Sequence, residues 1–136
     1  MSNFVKSQVT DLPPSGIRRF FDLAATMEEC ISLSIGEPDF VTPKLMMDAA
    51  IDSLHKGKTA YTSNAGLIEL RQEICNYLEK YDLHYQAEKE VLITVGASEA
   101  IDLAFRALVG AGDEVLIPDP SFVCYGPLTT LAGGTP

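Results

Sequence analysis

The sequence lacks several features that mark out particular classes of protein. Its three cysteines, Cys30, Cys75 and Cys124, lie far apart and form no CxxC pair, so neither a disulfide framework nor a zinc site is expected. It has no basic stripe and a net charge of −9, which argues against a nucleic-acid partner. Its two histidines, His55 and His84, have no metal-binding constellation around them and are interpreted as solvated or capping residues.

Long apolar runs are also missing. No stretch is long and apolar enough to cross a membrane, so no membrane partner is expected. Residues 1–16 carry neither the apolar segment nor the small-residue cleavage pattern of a secretory signal. We therefore expect a cytoplasmic protein with reduced thiols. The 136 residues, 46% of them hydrophobic, suffice for one domain with a core but are few for two.

The sequence up to residue 90 predicts an arm followed by helices. Residues 1–16, with Pro13-Pro14, predict a non-helical, extended arm, separate from residues 17–136. Ser15 is the expected cap of the first helix, and Thr42-Pro43 and Gly57 mark the expected start and end of the second. Apolar spacing places helices over 17–27 and 67–83, the start and end signals place another over 43–55, and alternation predicts a short strand over 31–35.

From residue 91 onwards, apolar runs alternate with helical spacing. Residues 91–95 and 114–118 predict buried strands, and 97–109 and 122–131 predict helices. This alternation predicts an α/β fold with a parallel sheet and helices packed on it. A third strand is expected after the turn at 133–134. Because two strands make a poor sheet, we expect the architecture to be cut off within a domain.

The junction after the first of these strands is a candidate anion site. A helix is expected to open directly after Gly96, where backbone N–H groups and the helix dipole favour a phosphate. Gly96 permits close approach of an anion, and Ser98 adds a hydroxyl donor. A turn glycine followed by an N-cap serine explains the same residues, and no GxGxxG or Walker pattern favours the phosphate.

Two aromatic residues follow the next predicted strand. Phe122 and Tyr125 are expected at the carboxyl edge of the sheet, where α/β proteins bind ligands. Phe122 is able to stack on a planar ring, although the spacing alone favours core aromatics beneath a helix. The turn GEPDF (36–40) is either a substrate contact or a plain turn, and spacing gives Tyr61 no role.

Five segments, taken together, resemble the class I aminotransferases of the aspartate aminotransferase superfamily, which use pyridoxal 5'-phosphate. They are SGIRRFFDLA (15–24), LSIGEPDFVTP (33–43), YTSNAGLIELR (61–71), VLITVGASEAIDLAFRALVGAGDEVLIPDPSFVCY (91–125) and LAGG (131–134). The resemblance implies the N-terminal part of a fold type I enzyme. In that fold, a parallel-rich sheet with helices on both faces forms the large cofactor-binding domain, here truncated after the second predicted strand.

The resemblance implies cofactor contacts for five positions. Backbone amides at Gly96, Ala97 and Ser98, with the Ser98 hydroxyl, correspond to those that hold the cofactor phosphate. Phe122 corresponds to the aromatic residue that stacks on the pyridine ring, which is tryptophan in some branches. Tyr125 corresponds to a position near the aspartate that pairs with the pyridinium nitrogen.

Two more positions concern the partner subunit and the substrate. Tyr61 matches a tyrosine that reaches across a homodimer to the partner's cofactor phosphate. Gly36 matches a glycine whose backbone amide contacts the substrate α-carboxylate. The resemblance therefore implies a homodimer that acts on an amino acid and a 2-oxo acid.

The family's reacting residues have no counterpart here. Its Schiff-base lysine, ring-nitrogen aspartate and carboxylate-binding arginine correspond to positions beyond Pro136, and the lysines of this chain sit in none of the matching contexts: Lys6, Lys44, Lys56, Lys58, Lys80 and Lys89. Transamination needs that amine and a protonated ring nitrogen. We therefore predict that the chain alone is inactive, with weak or no cofactor binding. The alternatives are a C–S lyase of the same fold and a noncatalytic assembly module that pairs with a partner chain.

Overall fold

The computed structural model of the chain describes residues 4–27, 31, 36 and 38–136. The chain divides into two compact units, one made of Met1–Ser32 with Val95–Pro136 and the other of Leu33–Thr94. The helices of the described residues, in chain order, are α1 (Ser7–Thr10), α2 (Gly16–Ala25), α3 (Lys44–His55), α4 (Ile68–Leu78), α5 (Gly96–Leu108) and α6 (Tyr125–Ala132), with a 3-10 helix at Glu79–Tyr81. None of these helices is both long and apolar enough to span a bilayer.

The N-terminal arm is not fully extended, so that prediction was wrong for α1. Thr10 closes the short helix, because its hydroxyl donates to the Ser7 carbonyl at 3.1 Å. The Asp11 amide bonds the same carbonyl at 2.8 Å. Proline restricts itself and the residue before it, so the pair at 13–14 leaves Ser7–Thr10 unconstrained.

Helix α2 confirms the helix predicted at 17–27, with an end two residues earlier. Ser15 occupies the N-cap position as expected, although its side chain forms no capping hydrogen bond. Phe21 and Ala24 are half-buried, whereas Phe20 is exposed. Only part of the predicted apolar face is therefore covered within its unit.

The predicted strands 91–95 and 114–118 do not form as strands in the described part of the chain. β pairing there is confined to an isolated parallel bridge between Glu114 and Thr135. The Val115 amide donates to the Thr135 carbonyl, and the Thr135 amide to the Asp113 carbonyl, both at 2.9 Å. A β-strand is stabilised by hydrogen bonds to neighbouring strands, and in the described part of the chain these segments have no neighbouring strands. The bridge lies where a third strand was expected to begin, and residues 32–35 of the predicted strand 31–35 lie outside the described residues.

Helix α6 packs against α5 and α1 within the first unit. The Thr129 side chain is completely buried, and its hydroxyl donates to the Tyr125 carbonyl at 2.8 Å. A methyl group at Gly134 would lie 2.5 Å from Val109 Cγ1 and 3.3 Å from the Asp113 carbonyl oxygen. Glycine at 134 therefore permits the close approach of the α6 end to the 110–113 turn.

Helix α3 confirms the second predicted helix, with a start one step later than expected. Pro43 is the N-cap residue and not the first helical residue, and no side chain caps this end. The helix ends at His55 as predicted, and Gly57 follows with a left-handed φ of +67°. Since side chains disfavour this region, glycine suits the predicted C-cap position.

The core of the second unit lies between α4 and residue 87. Arg71 and Cys75 on α4 are buried, as is Ala87. Helix α4 continues as the 3-10 helix to Tyr81, close to the predicted end at Leu83. The buried stripe of α4 therefore includes one charged residue, Arg71.

Candidate functional site

Helix α5 begins at a glycine with a left-handed backbone. Gly96 is its first residue and adopts φ +81°, and a methyl group there would meet no atom within 4 Å. Its requirement for glycine is therefore conformational and not steric. Ala97 and Ser98 follow in the first turn and are exposed, at the helix end where the dipole favours negative charge.

An acidic residue caps this helix end. Val95 is the N-cap residue, and its amide donates to the Glu99 carboxylate. The serine cap considered from the sequence is therefore not what the structure shows. Glu99 was missed, although an acidic residue in the first turn of a helix is a recognised start signal.

Phe122 and Tyr125 come together at the start of α6. Their ring centroids lie 5.7 Å apart with an interplanar angle of 77°, an edge-to-face arrangement. The Tyr125 amide also donates to the Phe122 carbonyl at 3.2 Å. Phe122 remains 48% exposed, so its ring keeps a surface available for another planar group.

Tyr125 also borders an apolar cavity in the first unit. The cavity measures about 340 Å³ and is lined by α5, the segment after the 110–113 turn and the start of α6: Ile101, Ala104, Phe105, Val115, Leu116, Ile117, Pro118 and Tyr125. Phe122 is not among these residues. The two aromatic residues therefore differ in exposure, since Tyr125 is partly buried beside the cavity and Phe122 is exposed.

The other two predicted site residues belong to the second unit. Tyr61 is fully exposed, with 106% of its reference surface accessible. Gly36 is exposed as well, and a methyl group there would meet no atom within 4 Å. Within their own unit, both residues present surface for contacts.

The comparisons with known proteins identify the family. The family model for aminotransferases of class I and II matches residues 28–136. The chain belongs to this family. Its fold class is therefore the α/β class of the solved aminotransferases, as predicted. The resemblance seen in the sequence is confirmed.

Individual members of the aminotransferase family match across nearly the whole chain. YugH of Bacillus subtilis, itself only provisionally named an aminotransferase, is 54% identical over 100% of this chain and 36% of its own length. The aspartate aminotransferase of Pyrococcus horikoshii is 46% identical over 98% of this chain and 34% of its own. The solved aspartate aminotransferase of Thermotoga maritima superposes with a TM-score of 0.87 at 36% identity, covering 96% of this chain and 36% of its own. The chain thus spans about a third of the length of these relatives.

Sequence reasoning missed a second set of residues in this aminotransferase chain. The Arg71 guanidinium donates to the Ala87 carbonyl at 3.0 Å, and the Ile93 amide donates to the Ala65 carbonyl at 3.1 Å. Arg71 had a detectable signal, because it interrupts an apolar stripe that includes Leu67 and Leu78. The Ala65–Ile93 hydrogen bond joins backbone groups, so the residue types at these positions do not predict it.

Proposed function

We propose that this chain is the N-terminal part of a pyridoxal-phosphate-dependent aminotransferase. The complete protein would transfer an amino group from an amino acid to a 2-oxo acid. The observation that carries the proposal is Gly96 at φ +81° at the head of α5. In a member of this family, such a turn offers the backbone that a cofactor phosphate needs.

The first turn of α5 fits a phosphate group. Amides of Gly96, Ala97 and Ser98 would hold the phosphate oxygens, and the Ser98 hydroxyl would add a donor. The exposure of Ala97 and Ser98 supports this role. Glu99 bonds the Val95 amide and thereby holds the turn in its present shape.

The aromatic pair fits the cofactor ring. Phe122 would stack on the pyridine, and its half-exposed ring supports this role. Tyr125, at 5.7 Å from Phe122, would fix the orientation of that ring from the α6 side. Pyridoxal phosphate, when bound, supplies an electron sink for the chemistry at the substrate Cα.

Tyr61 and Gly36 extend the proposal to the partner and the substrate. Tyr61 would contact the cofactor phosphate of a partner subunit in a homodimer, and its complete exposure supports an intermolecular role. The amide of Gly36 would bind the substrate α-carboxylate. We also assign the enzyme to the cytoplasm. In the complete protein, residues 91–95 and 114–118 would become parallel strands of the large-domain sheet, and the parallel Glu114–Thr135 bridge supports a strand that begins at residue 114.

We further propose that the 136-residue chain alone is inactive, although its α5 turn retains weak affinity for a phosphate ester. A Schiff-base lysine is activated by desolvation or a neighbouring cation. The lysines of this chain are exposed in the structure, and two of them pair with carboxylates of their own helix or its end, Lys44 with Asp48 and Lys56 with Asp52. None of them has the environment that the chemistry requires.

The phosphate proposal is tested with a probe that lacks the aldehyde. Pyridoxine 5'-phosphate and pyridoxine share the ring but differ in the phosphate, and neither forms imines with surface lysines. In amide-resolved NMR titrations, the phosphate ester should shift the signals of Gly96, Ala97 and Ser98, whereas pyridoxine should not. Equal shifts with both compounds, or none with either, would contradict the proposal.

Substitutions sharpen this test. Gly96→Ala forces a side chain into the left-handed region, which costs about 1–2 kcal/mol, and should weaken binding of the phosphate ester. Gly112→Ala is the matched control, because Gly112 has φ +94° with no atom within 4 Å of an added methyl group. It should leave binding unchanged. A similar loss of binding in both variants would indicate general destabilisation and reject the assignment to Gly96.

The claim of inactivity has its own test. After incubation with pyridoxal phosphate and borohydride reduction, peptide mapping should find sparse labelling spread over the exposed lysines. Stoichiometric labelling of one lysine would refute the claim. The C–S lyase alternative is examined in the complete protein by offering cystathionine-like thioethers and amino acids side by side. The assembly-module alternative predicts that the complete protein carries no reactive lysine at all.

A further inference from the structure

Arg71, in the second unit, is a buried cation whose hydrogen-bond donors are only partly used. The residue is 8% exposed. Its Nη1 donates to the Ala87 carbonyl at 3.0 Å, whereas its buried Nε has no hydrogen-bond partner among the described residues. A guanidinium stays protonated in proteins, so the charge is permanent. Because a buried polar group without a partner is costly, this side of the guanidinium requires an acceptor.

The buried residues of the same unit do not supply that acceptor. Cys75 lies one turn after Arg71 on the same face of α4 and is buried, as is Ala87. A thiol is a weak acceptor, and the alanine side chain is none. The described surroundings of the guanidinium therefore leave its positive charge without an opposite charge.

The nearest carboxylates in the sequence are also committed elsewhere. Glu69 and Glu73 stand two residues before and after Arg71 on α4, and residues at that spacing do not share a helix face. Both are exposed. Glu90 follows Ala87 closely, but its carboxylate accepts the Gln86 amide at 2.7 Å. No described carboxylate forms an ion pair with Arg71.

The free side of the guanidinium has the geometry that a carboxylate prefers. Nε and Nη2 share one edge of the planar group, and their two parallel N–H bonds match the two oxygens of a carboxylate. Nη1 lies off this edge and is fixed by the Ala87 carbonyl. The bond to Ala87 therefore orients the guanidinium while it leaves Nε on the edge that forms bidentate pairs.

A short surface turn over Gln86–Glu90 provides the route to this edge. The amides of Lys89 and Glu90 donate to the Gln86 carbonyl at 3.1 and 2.9 Å, and within the turn only Ala87 is buried. Exposed segments of this kind open locally at a small cost in free energy. Since Ala87 belongs to the turn, its opening uncovers Arg71.

We propose that Arg71 binds a carboxylate through Nε and Nη2. The carboxylate is carried by a small organic acid or by an acidic side chain of the complete protein outside the described residues. The inference uses the second unit alone and does not rest on the proposed phosphate role of Gly96–Ser98. Failure of either proposal therefore leaves the other standing.

Formate, the smallest carboxylate, is the first probe, with chloride at equal ionic strength as its control. In NMR spectra that resolve the arginine Nε–H signals of the 136-residue chain, formate should shift the Arg71 signal saturably and chloride should not. The Nε of Arg106, which pairs with Asp102 on the surface, should respond alike to both salts. An Arg71 signal that responds equally to both salts, or to neither, would overturn the proposal.

Stability gives a second readout of the same site. At ten times the dissociation constant found by NMR, formate should raise the folding equilibrium constant of the chain about elevenfold. Arg106→Met should keep this gain, and Arg71→Met should lose it. A gain that persists in Arg71→Met would place the formate elsewhere and overturn the proposal. If Arg71→Met does not fold, the Nε–H titration of the unsubstituted chain decides the matter.

The complete protein distinguishes the two sources of the carboxylate. If its Arg71 signal shifts with formate as in the 136-residue chain, the natural ligand is a small organic acid. If the signal already lies at the formate-bound position and no longer responds, an acidic side chain of the complete protein occupies the site. A signal at the unbound position that does not respond to formate would overturn the proposal for the complete protein.

Discussion

Arg71 and Ala87 form the central polar contact of the second unit, with Nη1 of the arginine 3.0 Å from the alanine carbonyl oxygen. Both residues are buried, and Arg71 is only 8% exposed. Among the described residues no carboxylate pairs with this guanidinium, and its buried Nε has no hydrogen-bond partner. The arginine therefore stabilises the unit by satisfying a buried carbonyl and not by ion pairing.

Replacing Arg71 should destabilise the chain. Arg71→Met keeps most of the volume but leaves the Ala87 carbonyl unsatisfied, which should lower the free energy of unfolding by about 1–3 kcal/mol. Urea denaturation measures the change. Arg106→Met is the control, because Arg106 forms an exposed pair with Asp102 on one helix, and exposed ion pairs contribute little to stability. Equal losses in the two variants would contradict the buried role of Arg71.

A methyl group at Gly134 should be costly. Gly134→Ala places it 2.5 Å from Val109 Cγ1, and overpacking of this kind costs about 1–3 kcal/mol. Val109→Ala in the same chain should relieve part of that loss, so a double-mutant cycle in urea should show coupling. Gly126→Ala, with no atom within 4 Å of the added methyl group and a helical position in α6, should instead stabilise by about 0.5–1 kcal/mol. Additive effects of Gly134→Ala and Val109→Ala would rule out the contact.

The Tyr81 hydroxyl should lose its proton at a higher pH than an ordinary tyrosine, because its pKa is raised. Its hydrogen bond with the Tyr77 hydroxyl, at 3.1 Å, raises the pKa of Tyr81 above the ordinary 10.0, with a smaller contribution from desolvation. Because the folded-state pKa is raised, the stabilisation from this bond is present below about pH 10 and is lost as the pH rises through the folded pKa. Absorbance titration near 295 nm should show the Tyr81 transition move to lower pH in Tyr77→Phe. Tyr85→Phe removes a phenol outside this pair and should leave the Tyr81 transition in place.

The Glu99 cap should contribute to the start of α5. Glu99→Ala removes the acceptor of the Val95 amide, and loss of a cap costs about 0.5–2 kcal/mol. Hydrogen exchange at Val95 should accelerate accordingly, while Glu99→Gln, which keeps an oxygen acceptor, should lose less protection. Unchanged exchange at Val95 in Glu99→Ala would show that the cap does not persist in solution.

Local signals in the sequence predicted most of the helices. Gly57 ends α3 through its left-handed φ, and apolar spacing located α2, α4, α5 and α6, because such signals act within one turn of the chain. The starts of α3 and α6 were displaced, since cap positions depend on hydrogen bonds that the sequence does not specify. Helix α1 was not predicted, because Pro13-Pro14 was taken to keep all of residues 1–16 extended. A proline restricts only its own backbone and that of the residue before it.

The predicted strands require hydrogen-bond partners that are distant in the sequence. Residues 114–118 have the composition of a buried strand, yet only Glu114 pairs among them, because a strand is defined by its neighbours. Of the candidate site, the chain could reveal the glycine turn and the neighbouring aromatics, and the structure adds that Phe122 and Tyr125 touch. The close approach of the Gly66 backbone to the Ile93 side chain could not be predicted, because a glycine is the only sign of such an approach in the sequence.

The parallel bridge between Glu114 and Thr135 has a consequence for synthesis on the ribosome. Its two residues are close in sequence, and the intervening chain closes on itself through α6, so the entropy of loop closure is small. Contacts of low sequence separation form early and fast. The bridge, with α6 between its two residues, is therefore expected to form while translation continues.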